Sequence, residues 1–245
     1  MTAAVLTRPT VPSPRTPVDD APRSSAAVAY QRVLHQAVRR EFRMLAELAS
    51  WAPAEDATRA AELTGHADLL ARVLLQHHAT ERELLWPALF RSLPAREQDG
   101  ARDAIGYWTS RAALLDHVLR DLSTVARQWA VANTLPARNG FARACTRLAD
   151  QVEVHLAAEE RDLHPLLARY LPAAEWTAVS RAATTTLSGR EQLILLGLAL
   201  EDACAIDRAR LMAGLALATR TAWRVVGRRN YRATVVRLRG APPAA

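Results

Sequence analysis

The chain has no lysine, two cysteines and nine glycines in 245 residues, and its aromatic content is 5%. Two cysteines, Cys145 and Cys204, are too few and too far apart for a disulfide framework or a thiolate zinc site, so a reducing compartment is expected. Scarce glycine, and the lack of any long alternating run rich in Val, Ile and Thr, argue against a sheet. No apolar run is long enough to cross a bilayer: the longest, LILLGLAL at 193–200, ends in Glu201 and Asp202. The first 25 residues lack the continuous apolar core of a signal peptide and carry five prolines, so a disordered leader and a cytoplasmic protein are expected.

What remains is rich in alanine, leucine and arginine, and half of it is apolar, enough for a substantial helical core. The net charge of +7 is concentrated at the end: seven arginines and no acid lie between Arg220 and Arg239. Neither a recognition-helix motif nor a set of stacking aromatics accompanies them. The basic tail therefore predicts no specific nucleic-acid partner, only a solvated face or weak contact with a membrane surface.

One stretch organises the chain. QHHATERELLWPAL at 76–89 is answered by VHLAAEERDLHPLL at 154–167, and in each a His is followed four residues later by a Glu and ten later by a Pro. The trios are His77, Glu81, Pro87 and His155, Glu159, Pro165. Residues four apart share a helix face, so each copy presents imidazole and carboxylate together, as a metal half-site does.

The 3.6-residue periodicity predicts four long helices: A at 27–49, B at about 57–91, C ending near 132 and D at about 139–169. Helix A puts Val28, Gln31, His35, Val38, Phe42 and Leu45 on one stripe, and helix C is expected to carry Leu114, His117 and Val125 inward. Gly100 and Gly106 are expected to loosen the start of helix C, which must begin near Gly100 for the histidines to share one depth. Residues 172–245 predict further short helices and a basic amphipathic tail with no chemical residues.

A lone His on an apolar face is ordinarily a satisfied core residue. Four on different inner faces, two of them with a Glu one turn on, predict a metal centre, because unpartnered carboxylates in a core cost several kcal/mol each. Imidazole and carboxylate without thiolate suit iron, manganese or zinc, and six converging ligands exceed the four that a single structural zinc needs, so two metals are expected. The Glu-x-x-His tetrad of ferritin-like carboxylate proteins is missing. His66, roughly 16 Å along the axis from His77, and His164, on the far side of helix D, are expected at the surface or at helix ends. Trp86 and Trp108 are expected to pack the core.

The wording LHQAVRREF, QHHATERELLWPAL and HLAAEERDLHPLL resembles the hemerythrin-like (HHE cation-binding) family, in its actinobacterial form, over residues 27 to about 170. The resemblance implies an all-α, up-down-up-down four-helix bundle over 26–170, with helices added at 171–245. It also implies a non-heme di-iron centre for dioxygen, nitric oxide or a related small ligand. His35 and His77 would hold one iron, His117 and His155 the other, with Glu81 and Glu159 bridging. His78 is either a further ligand to the second iron or a surface residue, and Glu160 competes with Glu159. Oxygen carriers of the family have another His four residues past that of helix C, where this chain has Asp121, and a carboxylate five past that of helix D, here Glu160. Two functions share the expected centre: a module that senses, stores or scavenges oxygen, nitric oxide or iron, and an enzyme that breaks down peroxide or oxidises a small substrate.

Overall fold

The structure is a computed structural model that describes residues 25–240. Apart from Ser25, the expected leader lies outside the described residues. The bundle consists of α1 (Ala26–Trp51), α2 (Ala57–Thr80), α4 (Ala95–Ala132) and α5 (Leu135–Asp162). Connections of a few residues make sequential helices antiparallel neighbours, and the ring closes because α1 packs on α5 and α4 packs on α2. Asp56 starts α2 by accepting from Arg59 N at 2.9 Å. Asn133 ends α4 in the left-handed conformation, φ 46°, and Pro136 sits in the first turn of α5.

Gly100 and Gly106 interrupt nothing: α4 is continuous from Ala95, since an exposed helical glycine costs only about 1 kcal/mol. The real irregularities follow the two half-sites. After α2 the chain makes a π-helical turn, Glu81–Leu85, before α3 (Trp86–Ser92). After α5 it breaks at Leu163 before α6 (His164–Tyr170). Pro87 and Pro165 lie in the first turns of α3 and α6; each lacks the N–H a continuous helix needs and is accommodated by a local change of winding.

The apolar interior falls into two main layers. One holds Phe42, Leu45, Leu70, Leu74, Leu119, Trp129, Phe141 and Leu148; the other holds Val28, Leu85, Trp86, Leu89, Trp108, Leu163 and Leu167. Between them lies a polar layer drawn from all four bundle helices.

The remaining chain forms α7 (Ala173–Ala182), α8 (Gly189–Glu201), α9 (Ala205–Gly214), α10 (Leu217–Ala222), a π-helical turn (Trp223–Gly227) and α11 (Arg228–Arg239). Its buried side chains do not make a core of their own. Leu193, Ile194, Leu196, Trp223, Tyr231, Val235 and Leu238 join the bundle's larger apolar layer. The Tyr231 ring lies directly on the α8 backbone at Gly197, where a Cβ would clash with it.

Arginines tie the two parts together. Arg32 reaches Asp207 at 2.6 Å, Arg40 and Arg72 pair with Asp202 and Glu191, and Arg59 donates to the Leu238 carbonyl at 2.8 Å. In the opposite direction Arg239, from the basic tail, donates to Glu41 at 2.5 Å and to Glu201 at 2.7 Å. Glu41, 1% exposed, also accepts from Arg40 at 2.9 Å and lies 2.8 Å from His66 Nε2. His66 is thus buried, not at the surface as its sequence position suggested. Burial opposes ionisation of Glu41, yet the His66 hydrogen bond with Arg239 and Arg40 outweighs it and holds the carboxyl down at about 2.

A depressed carboxylate stabilises the fold fully above its ordinary value of 4.5, and this contribution is lost as pH falls from there toward about 2. Glu41→Gln should cost on the order of 3 kcal/mol near neutral pH by leaving two guanidinium groups without their shared negative charge. The difference between wild type and variant in denaturant midpoints should shrink as pH drops to about 3. A difference independent of pH would remove Glu41 from this role.

Candidate metal centre

The polar layer contains His35 from α1, His77, His78 and Glu81 from α2 and its π turn, Asp116 from α4, and His155 and Glu159 from α5. All are at most 5% exposed. One ligand atom each from His35, His77, Glu81 and Glu159 lies within 4.8 Å of the other three, a spacing at which a metal ion can be held. His35 Nε2 is 3.1 Å from His77 Nε2, and His77 Nε2 is 3.2 Å from Glu81 Oε1.

The atoms around this group are oriented from behind. His35 Nδ1 lies 3.0 Å from Glu160 Oε1, itself held by Arg39 at 2.8 Å, which leaves Nε2 for the interior. His78 Nδ1 lies 2.5 Å from Asp116 Oδ1, and its Nε2 has no partner among the described residues. Gln31 Nε2 donates to Glu81 Oε1 at 2.7 Å. A carboxylate behind a ligating imidazole fixes the ring's tautomer and raises its basicity.

Electrostatics give the layer its appetite for cations. Burial, then neighbouring His164 and Arg39, drive His35 well below the ordinary imidazole range, and burial with His35 and His78 does the same to His77. His155 falls to about 4, by burial and then by His78 and Arg111. Neutral imidazoles are the form that binds metal. Burial raises Glu81 well above the usual carboxylate range, and the facing Glu159 adds to it; Glu159 is raised by burial too. Two buried carboxyls side by side cannot both ionise unless a cation joins them. Glu159 Oε2, His155 Nδ1 and His78 Nε2, buried without a hydrogen-bond partner among the described residues, are donor atoms of the types that suit iron, manganese or zinc. The residues therefore fit a metal.

The structure brings together six of the seven residues expected from the sequence: His35, His77, His78, Glu81, His155 and Glu159. His117 is not among them. Its side chain is 74% exposed, 3.8 Å from Asp121 on the outer face of α4. Leu114, expected inward, is 71% exposed. The inner stripe of α4 is Ala112, Leu115, Asp116, Leu119, Leu122, Ala126 and Trp129. Burying three leucines and a tryptophan, at about 1.5–3 kcal/mol each, decides which face turns in. Asp116 takes the place expected for His117, and the apolar stripe alone was enough to reveal it.

His164 was expected on the far side of its helix. It is instead 8% exposed and stacks on His35, ring centroids 5.6 Å apart. Nine residues of helix put it opposite His155, but that side is also one turn past Glu160, which faces His35, so it still meets α1. Burial brings its imidazole down to about 4, against the pull of Glu160. Glu160, the alternative to Glu159, stands behind His35 with a quarter of its side chain exposed.

Two cavities meet at Glu81. The smaller, of about 10 Å³, is lined by His78, Glu81, Arg82, His155 and Glu159 beneath Trp86 and Trp108. The Trp108 ring lies edge-on to His155 at 6.0 Å, so both tryptophans pack the apolar layer and also wall this cavity. The larger, of about 370 Å³, lies between the bundle and α7–α10 and reaches Gln31, His77 and Glu81 from the other side.

An all-α bundle with buried imidazoles and carboxylates from all four helices is the scaffold of a cation-binding protein. The family model of the hemerythrin HHE cation binding domain matches residues 27–167, and the chain belongs to that family. No curated protein and no solved structure matches the chain.

Proposed function

We propose that this chain is a non-heme di-iron protein that binds dioxygen, nitric oxide or a related small ligand in the reducing cytoplasm, to sense, store or scavenge it. His35 and His77 would hold one iron; His78 and His155 would hold the other, with Glu81 and Glu159 between them. When bound, such a centre supplies Lewis acidity and reversible electron transfer. The observation that carries the reading is the pairing of the four-donor group with the cavity of about 10 Å³ beside it. That volume is about what one water molecule requires, so the cavity selects ligands of that size.

The chain's own residues do the rest. Trp86 and Trp108 exclude bulk water, which strengthens every charge interaction inside. Arg82, half-exposed and 4.0 Å from Asp116, places a guanidinium where a polar or anionic ligand enters. Asp116 and Glu160 keep His78 and His35 turned inward.

The test is metal analysis together with optical spectra of the reduced protein before and after exposure to air, nitric oxide and peroxide. About two irons per chain and a spectrum that cycles reversibly are expected. Iron-free protein purified from iron-replete cells, or one ion per chain, would overturn the di-iron reading. Sustained peroxide turnover would favour the second reading, a di-iron enzyme, for which the larger cavity is the specific structural argument.

A further inference from the structure

The last helix of the chain, from α10 through its π-helical turn to α11, has two faces of different character. The inward face is buried, at Trp223, Gly227, Tyr231, Val235 and Leu238. A spacing of four drifts about 40° per step on an α-helix, and the wider π turn takes up part of that drift, so this line stays against the protein. The opposite line, Val225, Arg229, Ala233 and Val236, is thereby kept outward, and all four residues are exposed.

Arginines flank it. Arg224, Arg228 and Arg232 follow one side of the outward line and Arg237 lies on the other, all of them exposed. Arg32, Arg40, Arg72 and Arg239 are each held by a carboxylate. The side chains of Arg224, Arg228, Arg229 and Arg232 have no ion pair among the described residues, and no acid occurs between Arg220 and Arg239. The outer face therefore carries uncompensated positive charge.

A merely solvated charged face has no use for apolar side chains, yet Val225 is 72% exposed, Val226 45% and Val236 40%. Against the phosphates of a nucleic acid these valines would meet nothing apolar, and the two aromatics of the helix, Trp223 and Tyr231, are turned into the protein and cannot stack on bases. At a bilayer surface both kinds of side chain find partners. Guanidinium groups meet lipid phosphates while apolar side chains between them enter the boundary of headgroups and acyl chains.

We infer that the outer face of this helix docks on a membrane surface rich in anionic phospholipid, with the helix flat in the interface, Val225 and Val236 toward the acyl boundary and the arginines on the phosphates. The valines are few and small, so the contact is chiefly electrostatic, reversible and sensitive to salt. The face contains no residue of the metal layer, so this reading and the di-iron reading fail separately.

Co-sedimentation of the full chain with vesicles tests it, comparing pure phosphatidylcholine with an equimolar mixture of phosphatidylcholine and phosphatidylglycerol. Binding should be saturable on the anionic vesicles, at least about tenfold weaker on the neutral ones, and should fall as salt is raised. Arg228→Gln, Arg229→Gln and Arg232→Gln together should lower the affinity about fivefold per residue, roughly 100-fold in all. Arg127→Gln, Arg143→Gln and Arg147→Gln remove the same charge from the exposed surfaces of α4 and α5 and should leave binding within about twofold. Val225→Ser with Val236→Ser keeps the charge and should still weaken binding at least about threefold. All these positions are exposed, and circular dichroism checks that each variant keeps the wild-type helicity. Absent binding to anionic vesicles, equal binding to neutral ones, equal loss from the two arginine triplets, or full binding by the valine variant overturns the proposal. Duplex DNA that binds more tightly than the anionic vesicles at equal phosphate concentration, and is indifferent to the valine pair, assigns the face to nucleic acid and likewise overturns it.

Discussion

His117→Ala should retain the full metal complement and spectrum of the wild type, while His78→Ala should lose one of the two ions proposed above. The reason is placement: His117 lies on the solvent face of α4, whereas His78 is 1% exposed with its Nε2 directed inward unpartnered. Asp116→Ala should behave differently from both. It removes no ligand to the first ion but frees the His78 ring, and loss of such an orienting carboxylate lowers metal affinity about 10- to 100-fold. Asp116→Asn, which still accepts a hydrogen bond from Nδ1, should recover part of that loss. Competition against a coloured chelator, read with iron stoichiometry, separates the three. A His117→Ala protein with half its metal would mean that α4 turns its other face inward.

A chain ending at Tyr170 should bind metal at the full ratio yet aggregate. The polar layer belongs entirely to residues before that point, but the surface of the bundle is apolar where α8, the second π-helical turn and α11 cover it: Leu193, Leu196, Trp223, Val235 and Leu238 share one core with it. Truncation also removes Asp202, Asp207, Glu191 and Arg239, so Arg32 loses Asp207, Arg40 loses Asp202, Arg72 loses Glu191 and Glu41 loses one of its two guanidinium groups. Light scattering and iron content of the shortened protein provide the check. If residues 172–245 fold cooperatively alone, the extension is a separate domain and the shortened bundle should stay monodisperse.

Much of this could be read beforehand because the sequence repeats itself. The His and Glu four apart, twice, named His77, Glu81, His155 and Glu159, and all four lie in the polar layer. The helical class followed from composition, and the bundle from the count of amphipathic stretches. What escaped was rotation. His117 was chosen because it is a histidine, although Leu115, Leu119, Leu122 and Trp129 together define the buried stripe and place Asp116 on it. His164 escaped because the side of the helix away from His155 was equated with the surface, although Glu160 one turn earlier faces α1. His66 and Arg239 escaped for another reason: their partner Glu41 is 25 and 198 residues away, and local periodicity carries no information about such pairs.

The position of Glu81 has one more consequence. This carboxylate lines two cavities of unlike size, one of about 10 Å³ and one of about 370 Å³. A substitution at Glu81 therefore changes the walls of both cavities at once, and a bulkier side chain there would narrow the two together.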